Sequence, residues 1–168
     1  MATSAGVRAQ NCRPISKLGC SRMPTHIDFF ELRTPADLFR KSEDDLRALQ
    51  ASPCDTRLAF NFFVTVEHLP DWLSRRDLVQ KNCVLRIVSH LANGAKHFVL
   101  NDPRHTSVKK AEASRYVEPG YAEPGYFEES LEIHLAPDEA REMGATVIDA
   151  VSLGQEALQF WRPHVPAA

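Results

Sequence analysis

No apolar run in the sequence approaches the roughly 18 to 20 residues needed to cross a bilayer, so no membrane-spanning helix is expected. Glycine is scarce, at 7 of 168 residues, which excludes a collagen-like or low-complexity chain. Neither sign of charge dominates. Twenty Lys plus Arg stand against 22 Asp plus Glu, a net charge of -2, so a globally basic surface cannot be the basis of polyanion binding. The four cysteines, Cys12, Cys20, Cys54 and Cys83, form neither a C-x-x-C pair nor a dense secreted framework, and a reducing cytoplasm fits that usage best. A Gly-rich phosphate loop, a dinucleotide fingerprint, H-E-x-x-H and a nucleophile elbow are all missing. What is present, 43% apolar residues in a chain of this length, suffices for one well-buried domain.

The charge is unevenly placed. Residues 1–24 hold Arg8, Arg13, Lys17 and Arg22 and no acid, a charge of +4, while the remaining 16 basic and 22 acidic residues give -6. With Pro14 and Gly19 and no apolar core of signal-peptide length, 1–24 reads as a disordered basic tail, and residues 25–165 as a single helical domain. An organellar leader or a translation start at Met23 are the other readings of that tail. Cys12, Cys20 and His26 have ligand chemistry, but their spacing matches no common zinc site.

Helical signals then follow one another. Thr34 suits an N-cap and Pro35 a first helical position, with Leu38, Phe39, Leu46 and Leu49 on one side up to Ala51. Asp55 can cap a second helix to Leu69, with Leu58, Ala59, Phe62, Phe63 and Val66 as its apolar face; Pro70 is expected to interrupt it and leave a kinked continuation over Asp71, Trp72 and Leu73. A third helix is expected from about Val84 to Val99. Residues 104–128, within a hairpin and turn insertion expected over 104–136, lose this period and contain the tandem repeat Val117–Tyr121 and Ala122–Tyr126, whose Pro-Gly pairs suit two type II turns. The alternation Leu131, Ile133, Leu135 predicts a half-buried strand with its partner before the repeat. A long last helix is expected from Asp138 to Trp161, with Gly144 and Gly154 inside it hinting at close helix contact. The fold class is therefore mainly α, a four-helix up-and-down bundle with a small β-hairpin inserted between helices three and four.

Candidate chemistry lies on helix three. At about 100° per residue, Arg86, His90, Asn93 and His97 share a sector of about 60° opposite the apolar face. A face that only meets water is usually Glu and Lys, whereas this line offers groups that bond directionally or handle protons. On helix two, Arg57, Asn61 and His68 form a related line and Asp71 follows one turn on. If the two helices pack antiparallel, His68 and Asp71 approach Arg86 and His90, where Asp71 could fix a histidine tautomer and Arg86 hold a phosphate. The alternative is that these side chains cap loops or bond a neighbouring helix. Metal binding by His68, His90, His97, Glu67 and Asp71 is disfavoured because no Glu-x-x-His occurs on these helices. Cys83 is no better a nucleophile, since His90 lies two turns along the same helix. Tyr116, Tyr121 and Tyr126, five residues apart and preceded by Arg104, Lys109, Lys110 and Arg115, could stack on bases or pack back on the bundle.

The run Ala59–His68 with Asp71 and Trp72, then Leu85-Arg86 through Ala92-Asn93 to Lys96-His97-Phe98, and the terminal Phe160-Trp161, resembles the HEPN superfamily over residues 35–162. That resemblance implies a homodimeric helical bundle, either a metal-independent ribonuclease or a noncatalytic nucleotide or protein binder. It puts Arg86, His90 and His97 in the neighbourhood of the family's catalytic residues; with the polar lines of helices two and three, Asn93, Asn61, His68, Asp71 and Lys96 are then the expected RNA or nucleotide contacts, with no metal or cofactor. The family motif is an Arg, four to six intervening residues, then a His. Here Arg86 precedes His90 by three intervening residues and His97 by ten, and no histidine of the chain has an Arg at the family spacing. The alternative function is a noncatalytic protein-interaction module.

Overall fold

A computed structural model describes residues 31–97, 105–113 and 130–166. The basic tail, Cys12, Cys20, His26, and the turn repeat with its three tyrosines lie outside these residues. Helix α1, Pro35–Ala51, begins as its sequence dictates: Thr34 Oγ1 accepts the Asp37 N–H, and Asp37 Oδ2 accepts the Thr34 N–H at 2.9 Å, a reciprocal capping box. Helix α2, Thr56–Trp72, is capped by Asp55, whose carboxylate accepts the Arg57 and Leu58 N–H groups. The expected interruption at Pro70 is absent. Helical residues continue to Trp72, because a proline three residues from the end removes only the donor to the Val66 carbonyl while its ring is buried in the core.

The chain turns at Ser74, whose φ of 53° is left-handed, and the Arg75 N–H bonds the Pro70 carbonyl at 2.7 Å. A 3-10 helix, Arg76–Lys81, follows in what the sequence presents as a plain connection. Helix α3, Cys83–Lys96, is capped by Asn82, which accepts the Leu85 N–H at 3.1 Å, and His97 is its C-cap.

The sheet has one more strand than the sequence suggests. Strand β1, Val108–Ala113, pairs antiparallel with β2, Leu131–Leu135, which confirms a partner ahead of the repeat. On its other edge β2 pairs antiparallel with β3, Val147–Asp149. The long last helix is therefore two helices, α4 over Pro137–Met143 and α5 over Ala150–Trp161, with β3 between. Gly144, at φ 71°, ends α4 in the left-handed conformation that glycine adopts without strain. Val147 and Ile148, both β-branched, then extend along β2, and Asp149 caps α5 through the Ser152 N–H at 2.9 Å. Asp138 is not the cap of α4; Ala136 holds that position, with Pro137 at the first turn.

Helices α1, α2, α3 and α5 pack on one another around Leu49, Phe62, Leu69, Ile87, Leu153 and Trp161, all essentially inaccessible to solvent. Inward-facing Leu131, Ile133 and Leu135 of β2 close one side of this core. Close contact at Gly154 is real: a methyl group there would lie 2.8 Å from Leu46 Cδ1 on α1 and 2.8 Å from Phe62 Cε1 on α2.

Candidate functional site: a polar cleft between α2, α3 and the 3-10 helix

One helical turn separates Glu67 from Asp71 on α2 and Ser89 from Asn93 on α3, so each pair shares a helix face. Antiparallel packing sets the two faces together. Ser89 Oγ donates to Glu67 Oε1 at 3.1 Å, and Asn93 Nδ2 donates back to the Ser89 carbonyl at 2.7 Å. The 3-10 helix then inserts Arg76. Its Nε and Nη2 bond both oxygens of Asp71 at 2.6 and 2.5 Å, its Nη1 bonds Glu67 Oε1 at 2.5 Å, and Nη2 also reaches the Glu67 carbonyl at 3.3 Å. The Glu67 side chain is only 5% exposed, so the Arg76 charge offsets a desolvation penalty that Glu67 could not otherwise sustain. Glu67, Arg76, Ser89 and Asn93, with Val79, Gln80 and His105, line a cleft of about 370 Å³.

The electrostatics follow from the contacts. Hydrogen bonds to Asp71, and secondarily to Glu67, raise the Arg76 pKa, while the same guanidinium lowers that of Asp71. Burial pushes the His68 imidazole below its ordinary value, and the nearby Lys96 ammonium adds to the shift. His68 thus stays neutral at pH 7 beside a nearly balanced set of charges.

The sequence-predicted residues fall in several environments. Arg86 turns toward α4, where Nη2 bonds Glu142 Oε2 at 2.6 Å and Nε bonds the buried Glu139 at 3.3 Å; Nη1 bonds the Gln80 carbonyl at 3.3 Å. His90 is half-buried and its Nδ1 accepts the Val108 N–H at 3.1 Å, tying β1 to α3. Burial lowers its pKa, with a further contribution from His105, whose ring stands edge-on at 6.0 Å. His97 is exposed at the end of α3, about 10 Å along the axis from His90. Arg86, His90 and His97 therefore do not share one pocket. Asn93 lines the cleft, whereas His68 and Asp71 on α2 and Lys96 at the end of α3 are not among its lining residues, Lys96 acting on His68 through its charge; Asn61 is exposed one turn before Thr65, whose hydroxyl bonds the Asn61 carbonyl at 2.7 Å.

Asp71 does approach a cationic partner, but that partner is Arg76 and not the tautomer-setting contact with a histidine. Sequence reasoning missed Arg76, Ser89, Gln80 and His105, and took Glu67 only as a metal-ligand type. The available signal was Arg76 itself, a cation five residues after Asp71 across a short connection. Among the described residues no group of three or more His, Cys, Asp or Glu could hold a metal ion. Burial pushes the Cys83 thiol up to about 11, so it carries little thiolate at pH 7. No described helix is long and apolar enough to cross a membrane.

A second depression, an apolar groove of about 230 Å³, lies between α2, α3 and the sheet and is lined by Phe60, Phe63, Leu91, Ala95, Leu131 and Ile133. Phe60 is 46% exposed there. No family model, curated protein or solved structure matches this chain.

Proposed function

We propose that this chain is a HEPN-like helical module, a four-helix up-and-down bundle of α1, α2, α3 and α5, that forms a homodimer and binds RNA or a nucleotide in the polar cleft. The observation that carries this reading is the convergence there of a guanidinium, a carboxylate, carboxamides and an imidazole from separate elements. Binding sites of small polar ligands are concavities of roughly this size with a few placed polar groups. Binding without cleavage is the favoured form, because the Arg86 charge is already matched by Glu139 and Glu142 and each of its three nitrogens is engaged by a protein acceptor, which disfavours its use on a scissile phosphate.

The test is a fluorescent mixed-sequence RNA titrated with the full chain, followed by anisotropy and on a denaturing gel, with the solution mass measured alongside. Bound, intact RNA and a dimeric mass are expected. Cleavage that disappears in the double variant His90→Ala, His97→Ala would replace binding by catalysis at the helix-three line, and no binding would overturn the reading. A second reading, a noncatalytic protein-interaction module, is favoured by one observation, the exposed Phe60 over the apolar groove. It predicts partner loss in Phe60→Ser without any effect on RNA.

A further inference from the structure

Resting on the reading that the cleft binds RNA or a nucleotide, the structure assigns the part of the ligand that is recognised. We infer that the cleft reads the heterocyclic base and not the phosphate, and that among the four RNA bases it fits guanine.

A guanidinium has five N–H donors. In Arg76, Nε–H and one Nη2–H serve the two oxygens of Asp71, the other Nη2–H serves the Glu67 carbonyl, and one Nη1–H serves Glu67 Oε1. One Nη1–H remains. The positive charge is meanwhile matched by two carboxylates, one of them nine-tenths buried. A phosphate brought to Arg76 would meet Glu67 and Asp71 at close range, and like charges at such a site repel. The cleft is therefore a poor anion site despite its arginine.

The groups left to bind are those of a neutral ligand. Glu67 Oε2 accepts no bond from a described residue, since Ser89 and Arg76 both use Oε1. Asn93 must direct its nitrogen at Ser89, because the Ser89 carbonyl can only accept, and this leaves Asn93 Oδ1 as an acceptor. Among the groups whose other bonds fix them, the cleft thus offers one strong donor, the Arg76 Nη1–H, and two acceptors, Glu67 Oε2 and Asn93 Oδ1, while the exposed Gln80 carboxamide can turn to present either a donor or an acceptor. The complement of the fixed groups is an edge of one acceptor and two donors. Guanine carries that set in O6, N1–H and N2–H; adenine, cytosine and uracil do not. His105 supplies an imidazole face for stacking, and its edge-on contact with His90 holds the ring at the cleft wall.

Calorimetric titration of the full chain with guanosine, adenosine, cytidine, uridine and inorganic phosphate tests this. Guanosine is expected to bind at least about tenfold more tightly than the other nucleosides, as loss of a hydrogen bond to a charged group implies. Its affinity should change less than about twofold between low and moderate salt, because no phosphate is neutralised. Asn93→Ala and His105→Ala, both at partly exposed positions, should each weaken guanosine by about fivefold or more while the helical circular dichroism is unchanged. Glu67→Gln should abolish the guanine preference where it folds. Phosphate binding as well as guanosine, equal affinity for the four nucleosides, or indifference to Asn93→Ala and His105→Ala would each overturn the inference. If RNA still bound at the cleft in those cases, the broader reading would stand; if no nucleoside, nucleotide or RNA bound, both would fall.

Discussion

Replacing Gly154 by Ala sets two effects of opposite sign against each other, and the structure decides between them. In the interior of a twelve-residue helix, Ala is favoured over Gly by about 1 kcal/mol. The new methyl, however, would lie 2.8 Å from both Leu46 Cδ1 and Phe62 Cε1, where carbon atoms prefer about 3.5 to 4.0 Å. Two side chains on two different helices must retreat, and Phe62 is fully buried. Overpacking of this kind costs about 1 to 3 kcal/mol, and a clash on two sides belongs in the upper half of that range. The net expectation for Gly154→Ala is a destabilisation of about 1 to 2 kcal/mol. For a domain of this size that lowers the Tm by about 3 to 6 °C, measurable by circular dichroism and by the urea midpoint. A variant as stable as the parent, or more so, would refute the close approach of α5 to α1 and α2.

Gly144→Ala should also destabilise, by about 1 to 2 kcal/mol, but for a backbone reason: nothing lies within 4 Å of the added carbon, while φ 71° is strained for any L side chain, so Gly144→Asn should recover part of the loss in the same melts. Arg86→Ala should cost about 2 to 4 kcal/mol in urea unfolding, because it leaves the buried Glu139 carboxylate without its cation; a variant of undiminished stability would show Arg86 free for other work. Stability should fall on acidification. Burial holds His68 and His90 below their ordinary value of 6.5, so the unfolded chain takes up protons first, and the Tm should be level above about pH 7 and decline as pH drops through 6.5 toward the folded-state values. Replacing both histidines by Gln should flatten that decline, and a Tm that rises between pH 7 and 5.5 would contradict the assignment.

Much of the helical frame was legible because its signals are local. Thr34 with Pro35, and Asp55, mark helix starts by capping chemistry that acts within three residues. The alternation at Leu131, Ile133 and Leu135 announced β2 in the same way. The reading failed at 144–149, where Ala140, Met143, Val147 and Val151 keep a helical period that outweighed a single glycine and the three β-branched residues Thr146, Val147 and Ile148. There the pairing of β3 with β2, a tertiary event, overrides the local period. The site was legible as a line of polar residues on α3 but not as a set of partners. Arg86 meets acids 53 and 56 residues away, and His90 meets a strand 18 residues on, so no spacing within helix three could foretell their use. Arg76 was hidden for another reason: its segment lacks periodicity, and a six-residue 3-10 helix leaves little trace in sequence.

The most direct test of the account is a ¹H–¹⁵N correlation spectrum of the full chain recorded while a short single-stranded RNA of mixed sequence is added. Binding at the cleft predicts that the resonances of Arg76, Ser89, Asn93 and His105 move first and saturate together. Perturbations centred on Phe60 and Leu91 at the apolar groove, or a spectrum that does not change, would contradict it.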